Sequence, residues 1–359
     1  MAVTPESKLR VVVLGLSITS SWGNGHATTY RSLLRALAAA GHDVLFLERD
    51  QPWYAKNRDL AEPGYARVEL YRDPSSLKDR FEREVREADL VIVGSYVPDG
   101  IEIGEWVTSR AQGVTAFYDI DTPVTLAQLA AGQELYLSRA LIPKYRLYLS
   151  FTGGPVLELL ERKYGAQAAR ALYCSVDPEH YAPREREPSW ELGYMGTYSA
   201  DRQPGLEELL LEPARRRPEL SFVVAGPQYP ETIVWPTNVA RVTHLAPQHH
   251  ASFYTRQRFT LNLTRAQMRA AGWSPSVRLF EAAACGVPII SDHWEGIEEF
   301  FAPGSELLIA ENAGDTLRWL RELPEAERIA IGTRGRARVL VAHTARHRAE
   351  ELIDHVRSC

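Results

Sequence analysis

Cysteine is scarce in this chain. Cys174, Cys285 and Cys359 are the only three in 359 residues, an odd number without C-x-x-C spacing, which excludes a disulfide framework or a zinc knuckle and fits a reducing compartment. Long apolar runs are missing as well: no stretch of about 18 apolar residues occurs, so nothing is expected to span a bilayer. Positive charge is not in excess, because Lys+Arg 41 stands against Asp+Glu 46 for a formal charge of −5. That is the wrong sign for a protein that lives on phosphate backbones, and no nucleic-acid partner is expected. Internal repeats and low-complexity segments are absent too. What is present, 45% apolar and 24% charged residues, is the composition of an ordinary globular protein. At roughly 100–200 residues per domain, the length implies two domains. Lys8 and Arg10 ahead of Val11-Val12-Val13-Leu14-Gly15-Leu16 imitate a signal peptide. The apolar stretch is short and lacks a small-residue cleavage site, so a buried first strand in a cytoplasmic protein is expected.

The pattern along the chain is strand, loop, helix. Leu9 to Leu16 is a β-branched run, Ser17 to Gly25 a Ser/Thr/Gly-rich loop, and Thr28 to Ala40 carries Leu33, Leu34 and Leu37 at helical spacing. Gly41 ends that helix and Asp43 to Leu47 is a second buried strand, closing a βαβ unit with a parallel sheet. The alternation continues through a helix at Phe81 to Glu87, strands at Asp89 to Gly94 and Val114 to Tyr118, a helix at Ile103 to Gln112 and a strand at Leu147 to Phe151. Prolines and charges from Tyr173 to Ser189 break the period. Beyond them a second α/β pattern begins, with strands at Glu191 to Met195, Ser221 to Ala225, Phe259 to Leu263 and Pro288 to Ser291. Helices are expected at Gly205 to Arg215 and Val277 to Ala284, with one long helical stretch from Glu325 to Arg357. The expected fold class is α/β, two Rossmann-like parallel-sheet domains facing a cleft. The first covers residues 1–175 and the second 176–340, with a C-terminal helix at 341–359 packing back toward the first. Ligands of such sheets bind at the carboxyl ends of the strands.

The most informative segment runs from Trp273 to Pro288. Ser274 is placed to cap a helix with Pro275 at its first position, which leaves amides near Ser276 and Val277 at the positive end of the helix dipole, where a phosphate is favoured. Arg278 and Glu281 stand three apart. One can fork onto phosphate oxygens and the other can accept two ribose hydroxyls; an i,i+3 salt bridge is the equally weighted plain alternative.

The run from Arg278 through Leu279-Phe280-Glu281 and Cys285-Gly286 to Pro288 resembles the donor-nucleotide motif of group 1 glycosyltransferases, in particular the branch related to spore maturation protein CgeB. The resemblance implies the two-domain GT-B fold, a nucleoside-diphosphate sugar as co-substrate with UDP as its nucleotide, Glu281 on the ribose, and retention of anomeric configuration. It implies no cofactor and no metal. Trp273 stands where many group 1 enzymes have a second glutamate, eight positions before the first. Gly196, Thr197, Tyr198 and Arg202 resemble the family's phosphate-contacting loop, and Gly226 and Pro227 the loop beside the base. Asn262 and Arg265 resemble donor-side residues.

In the first half, Gly23, Asn24, Gly25 and His26 form a glycine-bearing loop that opens the first helix. His26 is a candidate base or a simple helix cap. Asp119-Ile120-Asp121 is formally a D-x-D, and Asp121 is expected to face acceptor or sugar hydroxyls without binding metal. The leading expectation is therefore a sugar transferase acting on an unspecified acceptor, with His26, Asp121, Arg202 and Arg278 in catalysis. The alternatives are a non-catalytic nucleotide-sugar binder, an epimerase or hydrolase on the same fold, and an NAD-dependent oxidoreductase in which Glu48 or Asp50 would hold a ribose.

Overall fold

The computed structural model describes residues 8–185 and 187–359. They form two compact units, one running through Tyr173 and regaining Ala345–Cys359, the other spanning Cys174–Thr344.

In the first unit, β1 (Arg10–Gly15), β2 (Asp43–Arg49), β3 (Arg67–Tyr71), β4 (Leu90–Gly94), β5 (Val114–Asp119), β6 (Leu147–Ser150) and β7 (Ala169–Ala171) lie in the order β3-β2-β1-β4-β5-β6-β7. Each described pairing is parallel, as in Val11 opposite Val44 on one side and Leu90 on the other. Helices covering both faces of a parallel sheet demand strands that are apolar throughout. Val11 to Leu14 and Leu90 to Val93 meet that demand, all of them buried. The connecting helices are α1 (Gly25–Ala39), α2 (Pro52–Ala55), α3 (Pro74–Glu87), α4 (Gly100–Arg110), α5 (Thr122–Ala130) and α6 (Pro155–Tyr164).

The second unit stacks β8 (Trp190–Met195), β9 (Phe222–Ala225), β10 (Val239–Val242), β11 (Gln257–Asn262), β12 (Ile289–Ser291) and β13 (Leu308–Ile309) in the order β10-β9-β8-β11-β12-β13, again parallel. Its helices are α7 (Gln203–Leu206), α8 (Glu212–Arg216), α9 (His250–Thr255), α10 (Ala266–Ala271), α11 (Val277–Ala284), α12 (Ala313–Glu322) and α13 (Glu325–Ala342). The last helix, α14 (Ala345–Arg357), packs on α1 of the first unit. In both sheets the strand order reverses beside the first strand, so the loops after β1 and β4, and those after β8 and β11, splay apart. Such switch points leave a crevice for ligands.

Several boundaries differ from expectation for local reasons. The stretch expected as one helix from Glu325 is α13 and α14, broken at His343-Thr344, where His343 leaves helical geometry and stacks on Phe280 with ring centroids 4.8 Å apart. α3 starts earlier than the apolar period implies because Asp73 and Ser76 close a capping box before Pro74. The helix expected from Gly205 runs from Gln203 to Arg216 with a π turn at Glu207–Leu211. β3, β7, β10 and β13 were not anticipated, being short or partly exposed.

The loop after β1 is fixed from below by Glu48, fully buried at the end of β2. Its carboxylate accepts from Ser17 Oγ at 2.9 Å, the amides of Ile18 at 2.8 Å and Thr19 at 3.1 Å, and Thr19 Oγ1 at 2.6 Å. Those bonds consume the group that a dinucleotide-binding reading would offer to a ribose, and Asp50 is paired with Arg58 at 2.6 Å. Glu48→Ala would strand these donors in the interior and is expected to lower unfolding free energy by about 3 kcal/mol in urea titrations. Glu48→Gln, which keeps one acceptor, should fall between the two. A loss below about 0.5 kcal/mol for the alanine variant would contradict this role.

Candidate functional site

Three arginines converge in the second unit at the carboxyl ends of its central strands. Arg202 closes the loop after β8, Arg265 the loop after β11, and Arg278 is the second residue of α11. The Nε atom of each is buried and has no hydrogen-bond partner. Burial first, then the fields of Arg278 and Arg265, make the Arg202 guanidinium easier to deprotonate than usual, against the opposing influence of Tyr194 and Tyr229. Their remaining contacts are few. Arg202 donates to the Thr197 carbonyl at 2.6 Å and Arg278 to the Leu263 carbonyl at 2.7 Å, while Arg265 Nε lies 3.8 Å from Asp201 Oδ2, too far for a hydrogen bond. Tyr194 Oη, on β8, and Gln203 Oε1, at the start of α7, are also buried without partners.

Two carboxylates share this neighbourhood. Burial would raise Asp201, but bonds from Ser199 and the Ala266 amide, with Arg265 and Arg202 nearby, bring it below the usual carboxylate range. Asp292 is raised by burial despite the Thr264 amide and hydroxyl donating to it and the fields of Arg269 and Arg278. Both are engaged, so the guanidinium edges remain short of acceptors. Natural interiors rarely leave so many polar groups unmet at one place. Forked donors of this kind complement a phosphate.

The start of α11 corrects the expected capping. Ser276, not Ser274, is the residue before the first helical position, Val277, and its hydroxyl donates to Asn262 Oδ1 at 2.7 Å instead of capping the helix. No side chain therefore covers the first-turn amides, which begin at Val277. Ser274 is buried and Pro275 accepts from Cys174 Sγ at 3.3 Å. Asn262, expected beside the donor, is only 1% exposed. It braces β11, β12 and α11, because its amide nitrogen donates to Ser291 Oγ at 3.0 Å.

Arg278 and Glu281 form no salt bridge; they leave α11 in different directions. Glu281 is buried and accepts from Tyr254 Oη at 3.0 Å. Burial and the Glu281 carboxylate together push the Tyr254 and Tyr181 phenols well above their ordinary range. Cys285 sits in the same interior, its thiol raised by burial and then by Glu281. Trp273, in place of a glutamate, holds a left-handed backbone at φ +43°. Its indole N–H donates to Glu299 Oε1 at 2.5 Å and its ring covers Gly296, where a Cβ would lie 2.6 Å from the indole.

Gly196 and Gly226 bring two loops together backbone to backbone. A Cβ on Gly226, at φ +141°, would lie 2.0 Å from the Gly196 carbonyl oxygen. Tyr198 N donates to Pro227 O at 3.0 Å, and its ring meets Tyr229 edge-on. Sequence reasoning missed the group beyond, in which Arg241 lies 4.2 Å from the Tyr229 centroid and 4.3 Å from that of Trp235. The residues are 229, 235 and 241, too far apart to read as one motif.

In the first unit, Gly23 turns at φ +59°, Asn24 caps α1 by accepting from the His26 amide at 3.0 Å, and Gly25 opens the helix. His26 is thus not the cap. Its Nε2 lies 3.9 Å from Asp121 Oδ2, and its Nδ1 is buried without a partner. Tyr96, also missed, stands in the loop after β4 at φ +62°, its ring 5.3 Å from the His26 ring and 4.6 Å from Tyr136. A bulky residue in that backbone region is strained, and strain gathers at functional sites. Asp119 is fully enclosed, accepting from Tyr148 Oη at 2.5 Å and Thr125 Oγ1 at 2.8 Å. It offers no open oxygen for a D-x-D metal site, and among the described residues no three metal-ligating side chains gather.

Burial lifts Asp119 to about 6, against its hydrogen bonds from Tyr148 and Thr125 and with a further push from Asp121. A carboxyl raised on folding contributes its full stability below its unfolded value, 3.8, and loses it as pH rises through about 6. The urea midpoint of the wild type relative to Asp119→Asn should therefore fall between pH 4 and pH 7. A difference that stays constant over that range would contradict the shift.

Residues 202–354 match a family model described as glycosyl transferase-like. No curated protein matches the chain. Solved structures do. Sucrose-phosphate synthase from Thermosynechococcus elongatus superposes with a TM-score of 0.69 at 16% identity, over 97% of this chain and 98% of that one. Anabaena Alr3699/HepE in complex with UDP and glucose gives 0.73 at 11% identity, over 98% and 100%. An alpha-glucosyltransferase in complex with UDP-glucose and DNA containing an abasic site gives 0.72 at 12% identity, over 98% and 100%. The two parallel sheets with their helices are those of the GT-B glycosyltransferase fold.

Proposed function

We propose that the protein is a glycosyltransferase that moves a sugar from UDP to a hydroxyl-bearing acceptor, without a metal or further cofactor and with retention of anomeric configuration. The observation that carries this reading is the trio Arg202, Arg265 and Arg278, with three buried Nε–H groups lacking partners beside an uncapped helix start. The family match over residues 202–354 supports it, as do UDP and UDP-glucose in the titles of structures with this fold. The motif at Arg278 to Pro288 is what favours the CgeB-related branch.

The bond that breaks joins the sugar's anomeric carbon to the β-phosphate oxygen, and negative charge grows on the departing diphosphate. Arg202, Arg278 and the α11 amides are placed to stabilise that charge, with Arg265 and the Gly196–Thr197 and Gly226–Pro227 loops orienting the nucleotide. Fixed cations in a desolvated site do the work that a divalent metal does elsewhere. With retention, the acceptor's proton passes to a leaving phosphate oxygen. Glu281, buried against Tyr254 and Tyr181, is the residue proposed for the ribose. One observation favours a second reading, inversion: the 3.9 Å approach of His26 to Asp121 would make His26 the base that removes the acceptor proton.

Four measurements discriminate. Arg202→Ala is expected to lower turnover of UDP-sugar by about 100-fold with an unchanged melting temperature, whereas Glu281→Gln should chiefly weaken UDP binding. Wild-type rates in Arg202→Ala, or stabilisation by NAD with none by any nucleoside diphosphate, would overturn the reading. Proton NMR of the first-formed product reports the anomer. Retention supports the main mechanism, while inversion with loss of rate in His26→Ala would replace it by the second.

A further inference from the structure

We infer that Trp22 and Trp53 form a stacking platform for a neutral glycan, so that the acceptor is itself a saccharide; this rests on the transferase reading above. Of the eight tryptophans in the chain, these two are the exposed ones, at 50% and 49%. Half of each residue's surface faces solvent, so neither contributes much burial to the fold.

Both are nevertheless held firmly, and by the same chain of bonds. Trp22 N donates to Ser20 Oγ at 3.3 Å, Ser20 Oγ donates to Asn57 O at 2.8 Å, and Asn57 Nδ2 donates to Trp53 O at 2.7 Å. The amides of Asp59 and Leu60 both donate to the Thr19 carbonyl. Arg31 grips Asp59 with two bonds, at 3.1 and 2.7 Å, and reaches the Ile18 carbonyl at 2.8 Å. Burial would raise Asp59, but Arg31 and Ser21 bring its carboxyl down to about 2, so this clamp is charged at all ordinary pH values. Tyr54, buried in α2, meets the Trp53 ring edge-on with centroids 5.9 Å apart. Exposed aromatics whose backbones are fixed in advance lose little entropy when they bind.

Position and charge name the occupant. The tryptophans follow β1 and β2 at the carboxyl edge of the sheet, and the loop bearing Trp22 runs directly into Asn24 and His26. Over residues 51–64 the charges cancel, Lys56 and Arg58 against Asp59 and Glu62. An anionic membrane or a nucleic-acid strand calls for a basic excess that this rim lacks. An indole face with a mixed, neutral hydrogen-bonding rim suits a sugar ring, whose C–H face is apolar and whose edge carries hydroxyls.

The test uses the intact protein saturated with UDP on an array of neutral oligosaccharides of glucose, galactose, mannose, rhamnose and N-acetylglucosamine. UDP affinity is measured by calorimetry on the same samples. Wild type should bind at least one glycan, Trp22→Ala and Trp53→Ala should each weaken that binding at least tenfold with UDP affinity and melting temperature unchanged, and Trp→Phe at either position should restore most of it. No glycan bound, or equal binding by the alanine variants, overturns the platform. So does tryptophan-dependent binding to phosphatidylglycerol vesicles or to a single-stranded DNA 13-mer instead. Loss of UDP binding by the wild type would overturn the transferase reading itself.

Discussion

The second unit is organised around three half-buried arginines whose Nε–H groups are left without acceptors. Taking even part of a guanidinium out of water is costly, and three near one another repel. The fold accepts that cost at the point where the order of its strands reverses, with Asp201 and Asp292 tied to backbone amides instead of pairing tightly with the arginines. On the proposed reading, a diphosphate would supply the missing charge and acceptors together. The glycine contact between Gly196 and Gly226 keeps the two loops close, backbone against backbone.

The first unit solves a different problem. A loop of about ten residues after β1 must be ordered without secondary structure of its own, and Glu48 orders it from inside while the Arg31–Asp59 clamp orders it from outside. The reward is a rigid platform that ends at His26. Around that histidine the chain accepts strain at Tyr96 and an enclosed, protonation-prone Asp119. These features have no evident structural necessity and are concentrated at the crevice end of the sheet.

Much of this was legible in the residues. Apolar runs such as Val11 to Leu14 identify buried parallel strands, because helices on both faces leave them no polar side. Arg278 could be singled out by its place at a helix start, and Arg202 and Arg265 by the resemblance of their loops to the glycosyltransferase motifs. Side-chain direction was not legible. Arg278 and Glu281 looked like partners at i,i+3, yet Tyr254, contributed by a helix far away in sequence, draws Glu281 inward. Ser274 carried the right residue type for a cap, but the helix begins at Val277, and Ser276 before it spends its hydroxyl on Asn262. Tyr96 and the Tyr229–Trp235–Arg241 group were invisible, since neither a left-handed φ nor contact across two loops leaves a mark in periodicity.

The most direct test of the account is calorimetric comparison of UDP with uridine on the wild-type protein at two salt concentrations. If unpaired arginines form the site, UDP binds at least about 100-fold more tightly than uridine, and its advantage shrinks as salt rises. Equal affinity for the two, or no UDP binding at all, would contradict the claim that the arginine cluster is a diphosphate site.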